Sequence, residues 1–286
     1  MKKSILKPLL IFFQLALLLC VMSPSSAQSQ PNIQNQGAPA PSNIKIDGNM
    51  AEWGNKFEAY NRLNYLHYTM ANDAENLYLI VYAKDRTAIK KILYGGITLT
   101  IESPKVKGGN KKGDSSNVRF RFPVPDASIQ KVQSSFSVFN SGGLHNDILD
   151  TLKTTAQKRD SIAGILNAKV ETMFKEIEIS GIKAMSEPLL SVYNADGLKA
   201  AAKFDSHLQY TYELAIPLKY LSTGITSGTK FKYSIKENGR PTTEKVNGED
   251  FPVPMMVSFG GAPPDHTDLD VFSPTEFSGS YMLIKK

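Results

Sequence analysis

The sequence predicts a mainly β protein, an antiparallel β-sandwich carrying a helical insertion around residues 145–174. Three observations predict it. Short apolar or alternating segments recur from residue 64 to 285, separated by turn residues. Leu208, Tyr210, Tyr212, Leu214 and Ile216 keep strict period-two spacing, the repeat of a strand. Helical spacing appears in one stretch, where Ile162, Ile165, Leu166, Val170, Met173 and Phe174 share a face. A chain of 286 residues with 41% hydrophobic and 21% charged residues can bury a sizeable core. The same values exclude a disordered chain, a collagen-like repeat and a multispanning membrane protein.

The N-terminus reads as targeting. Lys2, Lys3 and Lys7 precede an apolar run over 9–22, interrupted by Gln14. A span needs about 20 such residues, so the run is too short. Pro24 and then Ser25, Ser26 and Ala27 follow, small residues where a signal peptidase acts. Residues 1–27 are therefore expected to be a signal peptide cleaved between Ala27 and Gln28, giving a periplasmic or extracellular protein with no membrane span. Cys20 offers lipidation as the rival, but Leu17, Leu18 and Leu19 before it are not small. Removing the leader lowers 33 basic residues to 30 against 27 acidic ones, and the net charge from +6 to +3. No clustered basic stripe remains, so no nucleic-acid partner is expected.

Cys20 is the single cysteine. The mature chain then has no disulfide, thiolate nucleophile or Cys-bound zinc. It also has no Asn-x-Ser/Thr acceptor, which suits a bacterial exported protein. Residues 28–43 are rich in Gln, Asn, Pro and Ser and carry no charge or aromatic ring. They read as a flexible leader, with a single domain over 44–286.

Within that domain, residues 64–71 and 77–83 flank the polar turn Asn72-Asp73-Ala74-Glu75-Asn76 and read as a hairpin. The second arm, LYLIVYA, is apolar on both faces, as in a central strand. Residues 96–102 and 117–122 read as another pair. Val118, Phe120 and Phe122 supply its buried face, Arg119 and Arg121 its wet one. The lysine- and glycine-rich stretch 105–113 between them reads as a solvated hairpin tip. In the helical stretch, Asp147 and Asp150 start a first helix that Lys158 and Arg159 close, and Asp160 caps a second. Residues 175–180 alternate like a strand. Strands follow at 198–204 and 208–216, where Pro217 ends the ladder and opens a helical turn to Leu221. Residues 229–236 form a strand, 238–268 mostly loop, and 278–285 the closing strand.

Three local patterns occur in a fixed order. Ile44-Lys45-Ile46-Asp47-Gly48 is followed by Glu52-Trp53. Asn72 to Tyr78 leads into an apolar strand ending at Lys84-Asp85. Tyr212-Glu213-Leu214-Ala215-Ile216-Pro217 precedes Leu218 and Leu221. In this order the chain resembles the family 9 carbohydrate-binding module and related DOMON-like sandwiches, over about residues 44–286. The residues themselves read as structural: Asp47-Gly48 as a turn, Trp53 as a plug for one end of the sandwich, Asp73 and Asn76 as a tight turn. The resemblance implies glycan binding, with a polysaccharide or oligosaccharide as partner. Sugar-binding members stack two tryptophans on the ring; this chain has one Trp, so any stacking falls to tyrosine, phenylalanine or Trp53. Some relatives bind calcium, and Asp265, Asp268 and Asp270 offer oxygen ligands, although an acidic loop is the simpler reading.

No HExxH, GxSxG, Walker loop or GxGxxG is present. His67, His145, His207 and His266 are scattered, and Met70 with His67, or Met255-Met256, carries no specific haem signal. No catalytic residue, metal ligand or cofactor is therefore assigned, and the ligand-binding residues are left open. The expectation is an exported, non-catalytic glycan-binding sandwich. The alternative is a structural or protein-interaction sandwich with an envelope protein as partner, favoured by the helical insertion.

Overall fold

The computed structural model describes residues 29–102, 117–125, 128–139, 155–221, 224–246, 249–253 and 269–285. The expected signal segment, the 105–113 tip, His145, Asp147, Asp150, His266, Met255, Met256, Asp265 and Asp268 lie outside the described residues.

The chain enters the fold earlier than composition predicts. Within the expected flexible leader, β1 (Ala38–Pro39) pairs in parallel with β3 (Leu66–Asn72). Gln34 is buried; its Oε1 accepts from Met70 N at 2.7 Å and its Nε2 donates to Met70 O at 2.8 Å. Its own N–H donates to Tyr68 Oη at 2.9 Å. One amide side chain thus supplies the donor and the acceptor of a ladder rung. Anchoring comes from hydrogen bonds rather than apolar burial, which is why composition misses it. The compact unit spans Pro31–Lys286 and so takes in residues 31–43 of the expected leader.

β3 pairs with β4 (Asn76–Ala83), as the hairpin reading expects, and β2 (Ala59–Asn61), which that reading does not include, pairs with β3 as well. Asp73 Oδ1 accepts from Glu75 N and Asn76 N at 2.8 and 2.7 Å, closing the turn. After β4 comes α1 (Arg86–Gly95), whose N-terminus Asp85 caps by accepting from Ala88 N at 2.9 Å. Sequence reading missed α1 because it is buried on nearly every side and its apolar stripe is short. β5 (Ile97–Ile101) and β6 (Val118–Val124) form the second expected pair, followed by α2 (Ile129–Ser135).

The helix of the insertion is α3 (Ala156–Met173). Its buried stripe is Ala163, Leu166, Val170 and Met173, whereas Ile165, assigned to that face, is 56% exposed. Asp160 lies inside α3 and caps nothing; Thr155 holds the N-cap position. Lys158 and Arg159 stand in the first turn of α3 rather than closing an earlier helix. Asn167 exchanges two hydrogen bonds with the Phe204 backbone, at 2.7 and 3.0 Å, and so docks α3 on a strand edge.

β7 (Glu176–Ser180), β8 (Leu189–Ser191), β9 (Lys199–Phe204), β10 (Tyr210–Pro217), β11 (Lys230–Glu237) and β14 (Thr275–Met282) complete the two sheets. Between the last two lies a hairpin of β12 (Thr243–Val246) and β13 (Glu249–Pro252), in the region expected to be loop. The first sheet runs β1-β3-β4-β10-β9 with β2 beside β3; the second runs β14-β11-β5-β6-β7-β8. Among the described strands every pairing except β1–β3 is antiparallel.

The protein is therefore a mainly β, antiparallel-rich sandwich. Tyr68, Leu79, Tyr212 and Leu214 of the first sheet share one buried core with Leu99, Phe120, Tyr233 and Ile235 of the second. β10 departs from simple alternation: all eight of its residues are buried, because its outward residues are covered too. No helix among the described residues is long and apolar enough to cross a membrane.

Candidate functional site

The two outer faces of the sandwich differ. That of the first sheet is roofed by residues 38–57. Ile44, Ile46, Trp53 and Phe57 pack there on Tyr78, Ile80 and Ala215, which point away from the core. Trp53 thus lies over a sheet face and does not plug an end of the sandwich. Two of the three motifs of the family resemblance meet at one carboxylate. Glu213 Oε2 accepts from Asp47 N and Gly48 N at 2.9 and 2.7 Å, and Oε1 from Trp53 Nε1 at 2.8 Å. Gly48, at φ 80°, makes the turn that aims both amides inward. Burial raises the Glu213 carboxyl to about 7, against the opposing pull of the three donors. Trp53 meets Tyr78 edge-on at 5.8 Å, and Tyr78 Oη donates to Asp73 Oδ2 at 2.7 Å. These residues fasten the roof to the sheet.

At one corner of this face Phe57 stacks on Tyr82 at 5.4 Å and Tyr60 on His67 at 4.5 Å. The four rings are half-buried and stack on one another. The Tyr82 hydroxyl donates to Asp205 Oδ2 at 2.9 Å and to Gln209 Oε1. A cleft of about 240 Å³ lies beside Tyr82, lined also by Asn49, Lys203 and Asp205. His67 is held below the ordinary imidazole range, first by burial and then by Lys84. It faces outward while Met70 faces the core, so the two cannot ligate one group. His207 is exposed, in the turn before β10. Asp270 is exposed in the segment before β14, and among the described residues no group of three or more His, Cys, Asp or Glu could hold a metal ion.

The outer face of the second sheet is polar and, among the described residues, carries no roof; its register explains its shape. One row across the strands reads Glu276, Lys236, Thr98, Arg121, Glu178. The next reads Ser278, Ser234, Thr100, Arg119, Ser180. Short side chains on β5 and β11 form a floor, and the long side chains of β6, together with Lys236 and Glu276, form walls. The result is a trough of about 550 Å³ that takes in all ten residues. Four inter-strand spacings make it about 19 Å wide.

Neighbouring groups hold its polar side chains in place. Arg121 Nη1 bonds Glu178 Oε2 at 2.8 Å, and its Nε donates to Gly95 O at 2.7 Å. Asn238 Nδ2 donates to Thr98 Oγ1 at 2.9 Å. Among the described residues no aromatic side chain lines the trough. These residues can bind by hydrogen bonds and charge, not by ring stacking. Sequence reading found the wet face of Arg119 and Arg121 but not the floor, because cross-strand register is not written in any one strand.

Compared with known proteins, no family model matches the chain, and no curated protein matches its sequence. The class defined by the structure is a two-sheet β-sandwich with one roofed and one open polar face.

Proposed function

We propose that the chain is an exported, non-catalytic glycan-binding protein of the family 9 carbohydrate-binding-module type, and that the trough of the second sheet receives the sugar. One observation carries the reading. An open sheet face about 19 Å across presents hydroxyl, amide, guanidinium and carboxylate groups around a floor of small side chains. A polyhydroxylated chain offers alternating donors and acceptors to such an array. The roofed opposite face supports the same choice, since its rings and its Glu213 carboxylate are already engaged.

A floor-filling variant tests it. Thr100→Tyr places a ring on the solvent side of β5 without entering the core. Binding to a glycan array by the parent protein and its loss in Thr100→Tyr, at an unchanged melting temperature, is the expected outcome. A parent protein silent across plant, algal and bacterial glycans ends the glycan reading.

A second reading, protein interaction, is favoured by the edge of the second sheet at β8, which no other described strand pairs with. Leu189 on edge strand β8 is 44% exposed, and Tyr193 just beyond it is 80% exposed. An added strand could pair there. It becomes the reading of choice if the array is silent.

A further inference from the structure

The trough specifies a charge class for its ligand, an inference that rests on the glycan reading above. Its first row is balanced internally: Arg121 holds Glu178 in an ion pair, and Lys236 stands opposite Glu276. The second row is different. Arg119 has Thr100 on one side and Ser180 on the other, with Ser234 and Ser278 beyond Thr100. No carboxylate stands in that row, and Arg119 makes no ion pair among the described residues. Two acids of the trough stand diagonal to Arg119: Glu178, already bound by Arg121, and Glu102 at the exposed end of β5, which makes no ion pair with it.

A guanidinium is a planar fork of donors that matches an anionic oxygen pair in two parallel hydrogen bonds. Here that fork lies in a strip whose other groups are hydroxyls, which serve sugar hydroxyls as donors or acceptors. We infer that the trough recognises an anionic glycan, with Arg119 binding the carboxylate or sulfate substituent of a sugar lying across Thr100 and Ser234. A uronate carboxylate and a sulfate ester present the same paired oxygens, so both satisfy the fork. Because Arg119 is exposed, the contact is screened over about 8–10 Å by physiological salt. Binding should weaken as salt rises, yet retain a hydroxyl-dependent remainder.

Affinity electrophoresis of the full chain through gels containing polygalacturonate, dextran sulfate or unmodified dextran decides the matter. Retardation by at least one anionic polymer, and little by dextran, is the expected result; which anionic gel retards more separates carboxylate from sulfate. Arg119→Ala should lose about tenfold or more in affinity. Arg119→Lys should lose a smaller factor, because charge survives and the fork does not. Both variants should keep the parent melting temperature, since the side chain projects into solvent. Retardation by dextran equal to that by the anionic gels overturns the charge class and leaves the glycan reading standing. Retardation by none of the three, together with a silent glycan array, overturns both. Anionic retardation that Arg119→Ala leaves unchanged shows nonspecific attraction and removes Arg119 from the site.

Discussion

Replacing Glu213 with glutamine tests the junction that ties the roof to the first sheet. The two carboxylate oxygens take three N–H donors in a fully buried position. Glutamine keeps one oxygen and substitutes an NH2 for the other. Either Trp53 Nε1 or the amide pair of Asp47 and Gly48 then faces a donor. At pH 5 the protonated carboxyl of the parent still accepts through its hydroxyl oxygen, which an NH2 cannot do, so the variant leaves a buried donor unsatisfied, a loss of about 1–3 kcal/mol. The gap then depends on pH. Burial raises the folded carboxyl from 4.5 to about 7. Its stabilising contribution is complete below 4.5, where both states are protonated, and is lost as pH rises through about 7. One pKa unit is about 1.4 kcal/mol, so the parent protein loses up to about 3 kcal/mol from this group by pH 8. The substituted amide does not titrate. The Glu213→Gln variant should therefore trail the parent at pH 5 and draw level with it or pass it at pH 8. Urea unfolding at both pH values measures this, with fluorescence from Trp53, the sole tryptophan, reporting at the site. A gap that widens with pH would show that the three donors outweigh burial and hold the carboxyl ionised. Equal stability at both pH values would refute the role of the network.

Two further perturbations probe other parts of the fold. The Tyr210 and Tyr212 hydroxyls are buried with no hydrogen-bond partner among the described residues, so Tyr210→Phe and Tyr212→Phe should leave stability unchanged or raise it by about 1–2 kcal/mol; a fall of more than about 1 kcal/mol in thermal or urea unfolding counts against an orphaned hydroxyl. Gln34→Ala removes both bonds to the Met70 backbone and should cost about 1–3 kcal/mol, with hydrogen exchange quickening at Met70 N; unaltered exchange there would separate the leader from the sheet.

What the sequence discloses is what one strand or turn can encode alone. LYLIVYA announces a central strand because both its faces are apolar, and Asp73 and Asn76 announce their turn through local side-chain bonds. What it withholds depends on pairs distant in the chain. Gln34 resembles any polar leader residue until it is set against Met70, 36 positions on. Glu213 resembles a wet-face residue until residues 47, 48 and 53 are laid over it. Ile165 falls on the apolar face by spacing, yet the buried stripe follows Ala163, a residue that hydropathy ranks below it. The candidate site is the extreme case. Thr98, Thr100, Ser234 and Ser278 are ordinary hydroxyls on three strands, and only the register of those strands gathers them into a floor.

The distribution of aromatic rings then sets a ceiling on affinity. Tyr68, Tyr210, Tyr212, Tyr233, Phe120 and Phe122 are committed to the core, and Trp53 to the roof. Among the described residues the trough has no ring to lay against the C–H face of a sugar. Its contacts replace hydrogen bonds that water already makes, and each such exchange yields only about 0.5–1.5 kcal/mol, with charged contacts at about 1.5–3. A handful of them, set against the cost of holding a flexible sugar still, gives about 4–6 kcal/mol, or millimolar to high-micromolar dissociation constants. Titration calorimetry with purified oligosaccharides, at low and physiological salt, measures it directly. Weak binding that reductant leaves unchanged is the expected result, since Cys20 is the single cysteine and precedes the expected cleavage site. A sub-micromolar constant cannot come from such a floor; it would require stacking rings, and so would move the sugar off the trough.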